Sequence, residues 1–338
     1  MASVRHRPPV PAFPPFCPRP PWWSGDLQTI RNILTGYNPD LAAFPHELLR
    51  LPMEDGTGDH LQGALHRPAG ERGRPLAVLI HGLTGSQDSS YVCASALALL
   101  RAGYPVLRLS LRGAGALQSV CRQRYHAGRS VDLRRALGWL APAALANGLV
   151  LAGYSLGGNM LLKLLGEGRG EGIGDLPVLA AASVSAPIDL AETSRRFRAP
   201  RNFLYHRWLL NRMKQEALNA PGLSETERQA ILGSRDVYEY DDRFIAPGNG
   251  FAGAEDYYAR CSALGFLATI RVPTLAIHAA DDPWIPAAMY RGFDWADNPA
   301  LTLLLASGGG HVGFHDREPV AWHDRCLLAF FAGFRISG

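Results

Sequence analysis

Lysine is almost absent from this chain: Lys163 and Lys214 are the only two in 338 residues, and arginine supplies most of the positive side of a formal charge of +4. So mild a balance excludes the whole-chain basic footprint of a nucleic-acid binder. Cysteine is scarce and scattered. Cys17, Cys93, Cys121, Cys261 and Cys326 are odd in number and never stand as Cys-x-x-Cys, which argues against a disulfide framework or a structural zinc site and for a reducing cytoplasm. No run of 18 apolar residues occurs, so no transmembrane helix is expected. Arg5 and Arg7 come early, but prolines follow where a signal peptide needs an apolar core, which disfavours secretion. At 47% hydrophobic and 19% charged, the composition suits one large α/β domain with an insertion, or two small domains.

Proline is dense at one end. Pro8, Pro9, Pro11, Pro14, Pro15, Pro18, Pro20 and Pro21 alternate with Phe13, Phe16, Trp22 and Trp23. Such density excludes helix and central strand, and the aromatics suit an arm, residues 1–45, that docks on the remaining domain, 46–338. A ligand for a proline-reading partner is the sharper alternative. Alternating residues 47–53 and 61–66 around Asp55-Gly56-Thr57-Gly58 predict an antiparallel edge hairpin. Strand-like stretches at 76–80, 106–109, 149–152, 178–184, 274–279 and 301–305 alternate with helical stretches at 94–101, 131–140, 286–295 and 319–334. That rhythm predicts a mostly parallel, doubly wound sheet. Between 187 and 270 it breaks. Helices are expected at 203–217 and 225–232, with 236–251 irregular, which together make a helical cap inserted over the sheet edge.

The centre of the chain is Gly153-Tyr154-Ser155-Leu156-Gly157, between a strand-like run and the helix-like Met160 to Leu165. Glycines clear the space of a sharp strand-to-helix turn, and the serine sits at its apex as a nucleophile elbow. A serine hydroxyl needs a base, and the base needs an orienting carboxylate. Both follow in order, each after a strand: Asp282 in Asp281-Asp282-Pro283, and His311 in Gly309-Gly310-His311. Asp281 is the alternative acid; Asp282 is preferred because it directly precedes Pro283. Oxyanion donors are expected from the backbone N–H groups of Leu156 and of Leu83, the latter in His81-Gly82-Leu83. His81 itself reads as structural. A metal cluster of His311, His315 and Asp316 would need a further ligand and a helix through Gly313. The triad needs neither cofactor nor metal.

These motifs resemble the YheT-like branch of the α/β-hydrolase superfamily, related to the ABHD group. The resemblance is carried by His81-Gly82-Leu83-Thr84-Gly85-Ser86 with Tyr91, Arg112-Gly113, Tyr125-His126 and Gly153-Tyr154-Ser155-Leu156-Gly157-Gly158-Asn159. Ala186-Pro187-Ile188-Asp189-Leu190, Asp241-Asp242 with Ala246-Pro247, Asp256-Tyr257-Tyr258, Asp281-Asp282-Pro283 and Gly309 to Phe314 extend it, and Gln28-Thr29-Ile30 is similar to the family's N-terminal segment. The resemblance implies Ser155, Asp282 and His311 at the catalytic positions of a carboxylic-ester hydrolase acting on acyl or lipid-like substrates, with alcohol acyl transfer as the alternative. Thr84, Ala127 and Val131 depart from the family's usual residues, which bears on substrate preference. In the cap, Arg195, Arg196, Arg198, Arg201, Arg207, Arg212 and Lys214 run without an acid, with Phe197, Phe203, Tyr205 and Trp208 interleaved. A solvated amphipathic face is the ordinary reading of that stretch. Peripheral contact with an anionic lipid surface is the alternative.

Overall fold

The computed structural model describes residues 9–69, 73–168 and 172–335. Arg5, Arg7 and Pro8 of the proline-rich end lie outside them. Eight strands form one sheet: β1 (His46–Pro52), β2 (His60–His66), β3 (Leu76–Ile80), β4 (Val106–Ser110), β5 (Leu149–Tyr154), β6 (Val178–Val184), β7 (Thr274–Ala279) and β8 (Leu301–Ala306). Their order is β1-β2-β4-β3-β5-β6-β7-β8. The pairs β1–β2 and β2–β4 are antiparallel and the rest parallel, as the alternation of the sequence predicts. Every residue of β3, β5 and β6 is buried, because helices cover both faces of a parallel sheet. Edge strand β1 is mostly exposed.

The insertion between β6 and β7 is helical, with Leu190–Arg198, Phe203–Leu218, Glu225–Gly233 and Ala254–Cys261 as its main pieces. Phe197, Leu209, Leu210, Met213, Ala217, Ile231, Val237 and Tyr240 give it a small core of its own. The stretch expected to be irregular is instead a succession of helical turns. Asp236 accepts a hydrogen bond from Glu239 N–H and starts Val237–Tyr240, a π turn follows at Asp241–Ile245, and Ala246–Gly248 adds another turn. Each is too short to leave a hydrophobic period, so the sequence hid them. Two predicted helices are shorter than expected. Ala287–Arg291 stops before Gly292, and Trp322–Phe331 begins only after the Pro319 segment.

The proline-rich segment runs over the domain in extended form. Phe16 packs edge-on against Phe314 and Trp322, and Trp322 Nε1 donates to Pro14 O at 2.6 Å. Trp23 stays 65% exposed. An unexpected helix, Gly25–Thr35, follows at once, with Ser24 as N-cap and left-handed Gly36 as C-cap. Among the described residues, no helix is long and apolar enough to cross a membrane.

Candidate active site

Ser155 stands between β5 and the helix Leu156–Gly166 with φ 50° and ψ −123°. A non-glycine residue held there stores roughly 1–3 kcal/mol of strain. Its N–H donates to Val184 O on β6 at 2.8 Å, which fixes the turn to the sheet. Glycines let the crossing close: a Cβ at Gly153 would lie 2.5 Å from Gly157 O, and one at Gly157 would lie 2.3 Å from His81 O.

The structure brings the three expected side chains together. His311 Nε2 is 2.9 Å from Ser155 Oγ, and His311 Nδ1 is 2.9 Å from Asp282 Oδ2. The other Asp282 oxygen accepts the N–H groups of Trp284 at 2.8 Å and Ile285 at 3.0 Å. Burial alone would raise the Asp282 carboxyl; attraction to His311 and the hydrogen bonds it accepts bring it below its ordinary value. A carboxylate only accepts, so His311 Nδ1 carries the proton and Nε2 is left to accept from the serine hydroxyl. The Trp284 ring stacks on the imidazole, with centroids 4.5 Å apart. Asp281, the alternative acid, turns elsewhere and accepts Gly310 N–H at 2.9 Å.

Leu83 and Leu156 are singled out by their neighbours. Gly82 N–H donates to the Tyr91 hydroxyl at 2.9 Å, and Thr84 N–H to the Tyr125 hydroxyl at 2.7 Å. The Leu83 N–H between them, and the Leu156 N–H at the start of its helix, have no hydrogen-bond partner among the described residues. Tyr125 is placed by its own N–H, which donates to the carbonyl of Arg112, a buried residue in a two-bond ion pair with Asp132. His81 is fully buried. Its Nε2 accepts Leu111 N–H and its Nδ1–H donates to Gly82 O, while burial lowers its pKa to about 4. It is a neutral strut under the loop.

The residues of the metal alternative do not converge: His311 faces Ser155, and Asp316 pairs with Arg325. Among the described residues, no three His, Cys, Asp or Glu side chains stand close enough to share a metal ion. Ser155 and His311 open into a cavity of about 400 Å³ beneath the cap, walled by Phe197, Leu209, Met213, Tyr258, Trp284 and Ile285. Titratable side chains stand in its wall, among them His126, Asp241, Glu216 and His315. His126 is lowered to about 3 by burial and by Arg129, and Asp241 is raised to about 7 by burial although the Tyr258 hydroxyl donates to it.

The sequence did not predict the contribution of the helix Gly25–Thr35. Thr29 Oγ1 accepts His311 N–H at 2.9 Å, and the Gln28 amide brackets the backbone of His315, accepting its N–H and donating to its carbonyl. Ser24 and Gly36 are cap signals in the sequence, but the proline run beside them masked the helix.

Residues 75–318 match the family described as alpha/beta hydrolase fold. The chain is 35% identical over 269 residues to "Putative esterase YheT" of Escherichia coli (strain K12), a match covering 78% of this chain and 77% of that protein. It is 26% identical to "Phospholipase ABHD3" of Homo sapiens over 71% of this chain, and spans 59% of that relative's length. Among solved structures, the esterase Pf2001 of Pyrococcus furiosus superposes with a TM-score of 0.57 over 98% of this chain and 100% of its own. At 16% identity that likeness speaks for the fold alone. The chain is therefore a hydrolase of the α/β-hydrolase fold family, in its YheT-like branch.

Proposed function

We propose that the protein hydrolyses carboxylic esters through an acyl-enzyme on Ser155. One observation carries this reading: two successive 2.9 Å contacts link Ser155, His311 and Asp282 at the floor of a largely apolar cavity. Ser155 Oγ attacks the acyl carbonyl carbon while its proton passes to His311 Nε2. The Asp282 carboxylate holds the resulting imidazolium. The carbonyl oxygen, now an anion, takes the N–H groups of Leu83 and Leu156. Collapse of the tetrahedral intermediate expels the alcohol, which leaves with the proton returned by His311. Water enters, gives a proton to His311 and attacks the acyl carbon; Ser155 regains its proton, and the carboxylic acid departs. No cofactor or metal is required.

The apolar cavity suits an acyl chain, and relatives named as a phospholipase and as a monoacylglycerol lipase support a lipid-like substrate. Transfer of the acyl group to another alcohol would use the same intermediate with water replaced; adding ethanol to the assay and looking for an ethyl ester separates the two. The decisive test is labelling with a fluorophosphonate alongside hydrolysis of p-nitrophenyl esters. Wild type is expected to label and turn over. Ser155→Ala is expected to do neither, with kcat lower by about 10⁶. An unlabelled wild type, or a labelled Ser155→Ala, overturns the mechanism.

Peripheral contact with lipid is a second reading, favoured by the cavity mouth. Ile33 and Trp208 line the cavity yet are 67% and 41% exposed, and Phe203 and Leu204 beside Trp208 are 59% and 78% exposed. The arginine run is less free than its sequence implies: Arg195 pairs with Glu192, Arg201 pairs with Asp26, and Arg198 lies over Tyr238. Insertion is thus expected to depend more on the apolar lip than on charge. Cosedimentation with phosphatidylcholine vesicles, lost in a Phe203→Ser, Leu204→Ser double variant, is the expected result; binding unchanged by those substitutions refutes it. Five free cysteines fit a reducing cytoplasm as the compartment.

A further inference from the structure

We propose that Thr29 and Gln28 are positioning residues for His311, which makes the helix Gly25–Thr35 a working part of the active site. The proposal rests on the serine-hydrolase reading above.

The loop that carries His311 is poorly able to hold its own shape. Gly309, Gly310, Val312 and Phe314 all have positive φ, at 136°, 58°, 57° and 49°. Two of these are side-chain-bearing residues, one β-branched, in a region that such residues rarely occupy. Within the loop, the Phe314 N–H donates back to Gly309 O. Its other anchors come from outside. Gly310 N–H goes to Asp281, His311 N–H to Thr29 Oγ1, Val312 N–H to Ser185 Oγ, and His315 N–H to Gln28 Oε1. Two of the four acceptors therefore belong to the N-terminal helix, and one of them holds the catalytic histidine by its own backbone.

The helix is fitted for that task. Thr29 Oγ1 donates its proton to Gly25 O at 2.6 Å, so its lone pairs are free for the incoming His311 N–H. Gln28 is 1% exposed, and its amide also donates to Trp22 O, which fixes which way the amide faces. The packing leaves no slack: a Cβ added at Gly310 would lie 2.3 Å from Gly25 O, and one at Gly313 would lie 2.6 Å from Gln28 O. A second line reaches the histidine ring. Asp26 accepts from Arg201 and from the Tyr205 hydroxyl of the cap. Tyr205 packs edge-on to Trp284, which stacks on His311. One short helix thus ties the histidine's backbone, the ring's covering aromatic and the cap to a common body. It also lies outside residues 75–318, the region that matches the hydrolase family.

His311 must accept a proton from Ser155 and then deliver it to the departing alkoxide, so an error in its position slows chemistry rather than binding. Misplacement by about 1 Å can cost about 100-fold in rate. The experiment compares Thr29→Val, Thr29→Ser and Gln28→Ala in the full chain, with kcat and KM on p-nitrophenyl butyrate, the rate of fluorophosphonate labelling, and the melting temperature. Thr29→Val, which keeps the shape and removes the acceptor, is expected to lower kcat and labelling rate by about 10- to 100-fold with KM little changed. Gln28→Ala is expected to follow it, and Thr29→Ser to recover activity to within a few-fold of wild type. Wild-type kcat in Thr29→Val overturns the proposal. So does equal loss in Thr29→Val and Thr29→Ser that tracks melting temperature, since that is a purely structural effect. A wild type that does not label at all removes the serine mechanism instead, and this proposal with it.

Discussion

Two adjacent aspartates give the sharpest test of the site, because the structure assigns them different work. Asp282 accepts three hydrogen bonds: His311 Nδ1–H on one oxygen, and the N–H groups of Trp284 and Ile285 on the other. Truncation in Asp282→Ala orphans all three donors, of which the His311 Nδ1–H and the Ile285 N–H are buried; at about 1–3 kcal/mol for each buried group, a loss of about 2–6 kcal/mol is expected. Asp282→Asn is the more informative change. Its amide oxygen can keep the two backbone donors, which turns the NH₂ group toward His311. Two donors then face one another, and the imidazole relieves the clash by carrying its proton on Nε2. That proton points at Ser155 Oγ, and the base can no longer accept. The wrong tautomer costs about 10⁴ in kcat in triad enzymes, so that loss is expected in p-nitrophenyl ester hydrolysis with little change in urea midpoint. Asp281→Asn keeps an acceptor for Gly310 N–H and should retain kcat within about tenfold. The reasoning is refuted if Asp282→Asn keeps more than about a tenth of wild-type kcat, or if Asp281→Asn loses as much.

Acid should weaken the fold through its buried histidines. His81 and His126 are lowered to about 4 and about 3 from 6.5, chiefly by burial, so between those values the unfolded chain binds protons that the folded chain does not. Stability is expected to fall as pH drops from 6.5 toward 4, by up to about 3 kcal/mol for His81 at 1.36 kcal/mol per unit; a flat urea midpoint over that range would contradict it. Asp241 works in the opposite direction. With its carboxyl raised to about 7 from 3.8, the folded state holds a proton that the unfolded state has released, so stability falls as pH rises through that window. Asp241→Asn should therefore stabilise the protein at pH 8 by up to about 4 kcal/mol, and no gain there would show that the carboxyl ionises freely in the fold. Gly157→Ala pushes a Cβ to 2.3 Å from a backbone oxygen and should cost about 1–3 kcal/mol or prevent folding, while Gly138→Ala, with open space around it, should be neutral or better in the same denaturation assay.

The sheet was legible because its edge hairpin alternates and its central strands are mostly apolar runs: Leu76–Ile80 and Val178–Val184 are buried along their whole length. The meeting of Ser155, Asp282 and His311 was legible for a related reason, since each follows a strand and each is flanked by residues that a tight turn requires. Asp282 was preferred over Asp281 on its place before Pro283, and in three dimensions Asp281 meets Gly310 N–H while Asp282 meets His311. The turns after Asp236 were hidden because four- and five-residue helical pieces are too short to show a period. The helix Gly25–Thr35 was hidden differently. Its working residues, Gln28 and Thr29, act through backbone partners at His315 and His311, some 280 residues away. Contacts to backbone impose no residue type on the partner, so the sequence has no matching pair to find.

That distance has a consequence for dividing the chain into modules. Residues 75–318 match the hydrolase family and include Ser155, Asp282, His311 and the Gly82–Thr84 loop, to which the proposed mechanism assigns the chemistry. A fragment cut to those limits would expose β4, which loses β2 as its antiparallel neighbour, and would leave two anchors of the histidine loop without acceptors. If Gln28 and Thr29 position His311 as proposed, the matched pattern and the shortest active polypeptide are different lengths of chain. Chimeras that exchange this domain for a relative's should carry the Ser24–Gly36 helix with it, or take both the helix and the His311 loop from the same parent.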